Sequence, residues 1–108
     1  MTLTLENDEA VRGRIAALLA GGLATEVEPR CDTHEDVQAV IARLRALAPD
    51  DLVGRLVVAG FTDHVVVHAD FEQPCESCMY YLVHRRFCEL PELAVPVEPD
   101  WSCRLWRI

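Results

Sequence analysis

Four cysteines within 29 residues constrain this chain more than any other feature of it. Cys75, Cys78, Cys88 and Cys103 follow the pattern C-x2-C-x9-C-x14-C, and a fifth, Cys31, lies well upstream. The opening stretch "MTLTLENDEA" carries acids where a secretory leader has basic residues ahead of an apolar block, so a cytoplasmic location is expected. An odd number of cysteines in a reducing compartment argues against a disulfide framework and in favour of metal or redox chemistry. A Cys-x-x-Cys pair lets two thiolates on one tight turn grip a metal, and two more from later loops complete the set. A lone cysteine is most often an inert core residue; four so close together point instead to a bound metal.

A chain of 108 residues holds one domain with a modest core. Its net charge of -8 arises from 18 acids against 10 bases, and every base is Arg. Such a surface repels phosphate backbones on average, so no nucleic-acid partner is expected. The absence of Lys removes Schiff-base chemistry. Apolar runs stay well short of the roughly 20 residues that a membrane span needs, so no membrane partner is expected either. Ser77 and Ser102 are the only serines, both beside the cysteine pattern, and no glycine-rich phosphate loop is present. Whether the chain is an enzyme stays open, and a non-catalytic role fits better.

Residues 1–72 read as a small two-layer α+β body. Val11, Ile15, Leu18 and Leu19 line one face of a helix from Asn7 or Asp8 to Leu19, stopped by Gly21 and Gly22. "LATEVEPR" alternates as a half-buried strand does. Thr33 and Asp36 resemble a capping box, followed by the stripe Val37, Val40, Ile41, Leu44 and Leu47 up to Pro49. Leu52, Val53, Leu56 and Val57 suit a helix or a strand equally. "HVVVHADF" reads as a strand after a turn at "GFTD". Residues 73–108 differ in character: four of the six prolines, four of the five cysteines and most of the aromatics lie there, without regular periodicity. This segment is expected to be an irregular subdomain stabilised by metal.

Zinc and iron-sulfur are the candidate metals. Zinc knuckles pair two short Cys-x-x-Cys or Cys-x-x-His turns, whereas here only the first ligand pair is close in sequence. Widely separated third and fourth cysteines suit a cluster wrapped from several sides. Tyr80, Tyr81, Phe87, Trp101 and Trp106 are available as a dry shell, though they equally suit the core of a zinc subdomain. His84 is a weaker candidate ligand, placed by "HRRF" on the surface. His64 and His68, about 13 Å apart along a strand, are too far apart to chelate one ion. Cys31, with acids nearby, is expected to have a raised thiol pKa and to be a poor nucleophile. Arg85, Arg86, Arg104 and Arg107 suit either a docking face or local counter-charges for a thiolate centre and for Glu76, Glu89, Glu92 and Asp100.

Three short motifs carry a resemblance: "CESCMYY", "CELP" and "WSCRLW". With them the segment from Cys75 to Trp106 resembles the cluster-binding part of the high-potential iron-sulfur proteins and the related small subunits of some glycyl-radical enzymes. The resemblance covers about a third of the chain. It implies that Cys75, Cys78, Cys88 and Cys103 each bind one iron of a [4Fe-4S] cluster, with Tyr80, Trp101 and Trp106 packed around it. The loop between Cys78 and Cys88 is shorter than in the exported carriers, which suits a built-in or accessory cluster. The expected function is therefore a cytoplasmic iron-sulfur accessory subunit or electron-transfer partner of a larger oxidoreductase, with a homo-oligomer possible. The alternatives are a structural zinc module in an interaction or regulatory protein, and a redox-sensing cluster.

Overall fold

The computed structural model describes residues 4–108; Met1–Leu3, part of the stretch read for a leader, lie outside them. Three helices and two small antiparallel sheets make up an α+β fold. Helix α1 (Thr4–Ala20) starts earlier than its apolar stripe does. Ile15 on that stripe is fully buried, with Val11, Leu18 and Leu19 packed partly against the core. The helix ends in a Schellman arrangement: Gly22, at φ 95°, donates its N–H to the Leu19 carbonyl, and Leu23 donates to that of Leu18.

The stretch expected to be a strand, residues 23–28, joins no sheet. It lies along the end of the third helix, where the Glu26 N–H donates to the Val57 carbonyl (2.9 Å) and the Thr25 hydroxyl to that of Phe61 (2.7 Å). Its alternation therefore records contact of one side with a helix rather than ladder pairing. Helix α2 (His34–Arg45) carries the capping box as expected: the Asp36 N–H donates to the Thr33 hydroxyl and the Asp36 carboxylate accepts from the Thr33 N–H. Val37, Val40, Ile41 and Leu44 are its buried face.

The ambiguous segment is a helix, α3 (Leu52–Ala59), capped by the Asp51 carboxylate and packed on α2. It ends at Gly60, whose φ of 69° turns the chain into Phe61 and Thr62. "HVVVHADF" does not form one strand. It folds back as a hairpin of β1 (Val67–His68) and β2 (Phe71–Glu72), with Ala69 and Asp70 both at positive φ as a type I′ turn requires. Val67 and Phe71 are 64% and 62% exposed.

A three-stranded sheet follows a 3₁₀ turn at Cys75–Ser77: β3 (Tyr81–Leu82), β4 (Phe87–Cys88) and β5 (Val95–Pro96), in that spatial order and antiparallel throughout. Both sides of the boundary at residue 72 feed one apolar core, in which Ile15 and Leu56 meet Leu93, Val95, Val97 and Leu105. Each such side chain taken from water contributes roughly 1.5–3 kcal/mol. Helix α1 is the main strut. Buried Arg12 donates from Nε to the Val97 carbonyl (2.9 Å) and from one terminal nitrogen to those of Arg85 (3.1 Å) and Arg86 (2.9 Å). Arg85 in turn grips the buried Asp8 with two bonds, 2.7 and 3.0 Å. Among the described residues, no helix is long and apolar enough to cross a membrane.

Candidate four-thiol site

Cys75 and Cys78 are brought together by the 3₁₀ turn, whose closing bond runs from the Cys78 N–H to the Cys75 carbonyl (3.0 Å). The C-terminal segment clamps this turn in place. Cys75, Glu76 and Met79 donate their N–H groups to the carbonyls of Trp101 (2.7 Å), Pro99 (3.1 Å) and Arg107 (2.7 Å). Cys88 arrives on β4, opposite Tyr81. Cys103 is held against the end of α3 by a two-bond bridge between Thr62 and Ser102 and by the Arg104 N–H on the Ala59 carbonyl (2.9 Å).

All four cysteines line a single small apolar pocket. Phe61, Tyr80, Tyr81, Val97 and Trp106 complete the wall. Trp106 is fixed over the first cysteine turn by its indole N–H, shared between the Pro74 carbonyl and the Ser77 hydroxyl at 3.0 Å each. Trp101 does not line the cavity. It is 4% exposed within the core, and its part in the site is the carbonyl that receives the Cys75 N–H. Phe87 also faces elsewhere, under the Arg85 guanidinium, 3.6 Å from its ring centre.

Phe61 and Val97 were not legible as site residues. Phe61 lies outside the cysteine-rich segment and enters only because Gly60 turns the chain after α3. Val97 arrives through the β5 register and the bond from Arg12.

Burial pushes the Cys75 and Cys103 thiols far up and takes Cys88 to about 12, with repulsion from the neighbouring thiolates adding to each. Two backbone donors work against that trend: the Leu90 N–H bonds to the Cys88 sulfur and the Leu105 N–H to the Cys103 sulfur. Both belong to Cys-x-Leu triplets whose leucines are buried, so the same residue fills the core and aims its amide at the thiol. Burial, and the thiolates after it, also raise Tyr80. Without metal, Cys75, Cys88 and Cys103 are held neutral, whereas a coordinating metal deprotonates a thiol outright.

The remaining expected residues are elsewhere. His84 is exposed. His68 pairs with Asp32 at 2.8 Å and His64 with Asp63 at 3.3 Å. Cys31 is buried with its pKa raised, as expected, but burial is the main cause and the nearby acid a lesser one. The arginines of the tail find their acids mostly in the body: Arg85 on Asp8, Arg86 on Glu9 and Glu98, Arg104 on Glu26. None of these is a bond to Glu76, Glu89, Glu92 or Asp100. Glu92 pairs instead with Arg45 of α2. Among the described residues, no three His, Cys, Asp or Glu side chains are grouped tightly enough to hold a single metal ion. No protein-family model, curated protein or solved structure matches the chain.

Proposed function

We propose that the chain is a cytoplasmic iron-sulfur accessory subunit or electron-transfer partner of a larger oxidoreductase, holding one [4Fe-4S] cluster through Cys75, Cys78, Cys88 and Cys103. The observation that carries this reading is that the four thiols, scattered over 29 residues of sequence, line the wall of one apolar cavity. The donor set fits the group: four soft sulfurs, with no carboxylate or imidazole in the wall. Thiols distributed around a cavity suit a cluster, which brings its own sulfides and bulk, better than one zinc ion with all its sulfurs about 2.3 Å away. When bound, the cluster would supply a site that stores and gives up an electron.

The chain's own residues have separate tasks in this reading. Trp106 and Tyr80 restrict water at the mouth, and the Leu90 and Leu105 amides stabilise negative charge on two ligand sulfurs. Four protein ligands leave no open metal position for a substrate, which favours electron transfer over catalysis at the metal. The partner reading draws support from Met79, Leu82 and Val83, exposed apolar residues on the loop between the second and third cysteines.

Purification without oxygen tests the assignment. A brown protein with broad absorbance that bleaches on reduction, and about four irons per chain on analysis, is expected. A colourless protein with one zinc per chain would replace it with the structural zinc reading.

A further inference from the structure

Three arginines are buried in this fold: Arg12, Arg30 and Arg104. Arg12 is paired with Glu9 and Arg104 with Glu26. Arg30, 3% exposed, has no acidic partner among the described residues. Its Nε and one terminal nitrogen donate to the Gln73 amide oxygen (3.1 and 2.7 Å), and that nitrogen also reaches the Ser102 hydroxyl and the Cys103 carbonyl, both at 2.9 Å. All three acceptors are neutral. The other terminal nitrogen is sealed from solvent and has no partner. A guanidinium stays protonated even when burial disfavours it, so the fold carries a desolvated cation with no anion bonded to it, the Glu28 carboxylate acting on it only through space. Such a group costs several kcal/mol unless an opposite charge is supplied.

The missing charge has an evident source. Arg30 is bonded to the backbone of Cys103 itself, and the Cys103 sulfur, once ionised, is the strongest electrostatic support that the guanidinium has. Four thiolates outweigh a dipositive core and leave the ligated centre net negative. We propose that Arg30 is the built-in counter-charge of the four-thiolate centre and raises its reduction potential. The inference rests on the iron-sulfur reading above. A fixed positive charge next to the centre favours the state with one more electron, so its removal lowers the midpoint.

Voltammetry on the iron-loaded full chain tests this with four proteins: wild type, Arg30→Gln, Arg30→Lys and Gln73→Glu. Arg30→Gln is expected to shift the reduction equilibrium roughly tenfold toward the oxidised state, about 59 mV for a one-electron couple. Arg30→Lys keeps the charge and stays near wild type. Gln73→Glu places a carboxylate where the amide oxygen already accepts two bonds from Arg30; it lowers the midpoint as Arg30→Gln does and makes the metal-free protein more resistant to urea. This last variant decides the matter if Arg30→Gln fails to fold. Equal midpoints in the loaded proteins, or a Gln73→Glu protein less resistant to urea when metal-free, would overturn the counter-charge alone. A wild type that takes up no iron overturns the iron-sulfur reading, and the counter-charge falls with it.

Discussion

The metal-free protein is expected to lose stability steeply above pH 9, and the metal-loaded protein is not. Cys75, Cys88 and Cys103 all have thiol pKa values raised by burial from an ordinary 9.0. Between the ordinary value and the raised one, the unfolded chain has released protons that the folded chain still binds, so rising pH favours unfolding. The stabilising effect of burying neutral thiols is complete below pH 9 and disappears as pH climbs toward the folded values, about 12 for Cys88. At pH 10, one unit above the unfolded value, each thiol costs about 1.4 kcal/mol. The three together cost about 4 kcal/mol, a large share of the roughly 5–15 kcal/mol that holds a small domain together. Cys31, also raised by burial, adds in the same sense.

Urea unfolding of reduced, metal-free protein under nitrogen at pH 7, 8, 9 and 10 measures this directly, with an expected fall in midpoint on the order of 2 M between the extremes. In the loaded protein the ligating thiols are already ionised, so Cys31 is left as the thiol with this form of pH dependence, beside Tyr80 and Tyr81, whose pKa values burial also raises. Changing Cys103 to Ala should remove about a third of the loss attributed to the three thiols. A midpoint that is flat from pH 7 to pH 10 in the metal-free protein would refute the reasoning, because it would mean that these thiols are not held neutral in a closed apolar wall.

Other substitutions separate parts of the architecture. Gly60→Ala places a Cβ at positive φ into the Glu26 carbonyl, while Gly22→Ala meets only the φ penalty because nothing lies within 4 Å. The first should cost more than about 2 kcal/mol and the second about 1 kcal/mol, read as melting temperature shifts; equal losses would remove the close approach of residues 23–28 to α3 from the account. Cys88→Ala should abolish stable metal loading whereas Cys31→Ser leaves the metal content unchanged, measured by elemental analysis; equal metal loss in both would break the four-cysteine assignment. Trp106→Phe removes the indole N–H from Pro74 and Ser77 but keeps an aromatic face. It should hasten bleaching of the loaded protein in air by severalfold while costing about 1 kcal/mol of stability, and an unchanged bleaching rate would argue against a role for Trp106 in excluding water.

Helices were legible where an apolar stripe and a cap agreed, as with Thr33, Asp36 and the face from Val37 to Leu44. The strands were not, because period two is produced by any extended segment with one covered side. Residues 23–28 alternate against a helix end, and "HVVVHADF" spends its apparent turn-free length on a hairpin whose Ala69 adopts a conformation that its residue type does not advertise. The polar half of α1 was missed for a related reason. Asp8 and Arg12 sit four apart on its buried side, and a hydrophobic stripe counts such residues as surface. Their partners, Arg85 and the carbonyls of residues 85, 86 and 97, lie more than 70 positions away. The four late cysteines were legible as a group from their number within 29 residues, and they and two of the three aromatics chosen from the motif line one pocket. Trp101 does not, since adjacency in sequence to Cys103 says nothing about which side of the backbone its ring takes.

The boundary between a body and a metal-stabilised tail acquires a different physical meaning from the position of the leucines. A tail with so little regular structure would need metal to fold if its apolar residues faced only one another. Here Leu90, Leu93, Val95, Val97 and Leu105 belong to the same core as Ile15, Leu44 and Leu56, and the Arg12 and Arg85 bonds fasten α1 to the chain on both sides of the third cysteine, at residues 85 and 86 before it and at Val97 after it. The tail therefore draws on the helices for its stability. Leu90 and Leu105 connect the two requirements most directly: burying their side chains sets the position of the amides that face the Cys88 and Cys103 sulfurs. The thiols and their hydrogen-bond donors are thus positioned by the apolar core, and the proposed centre would spend less of its binding free energy on ordering the chain.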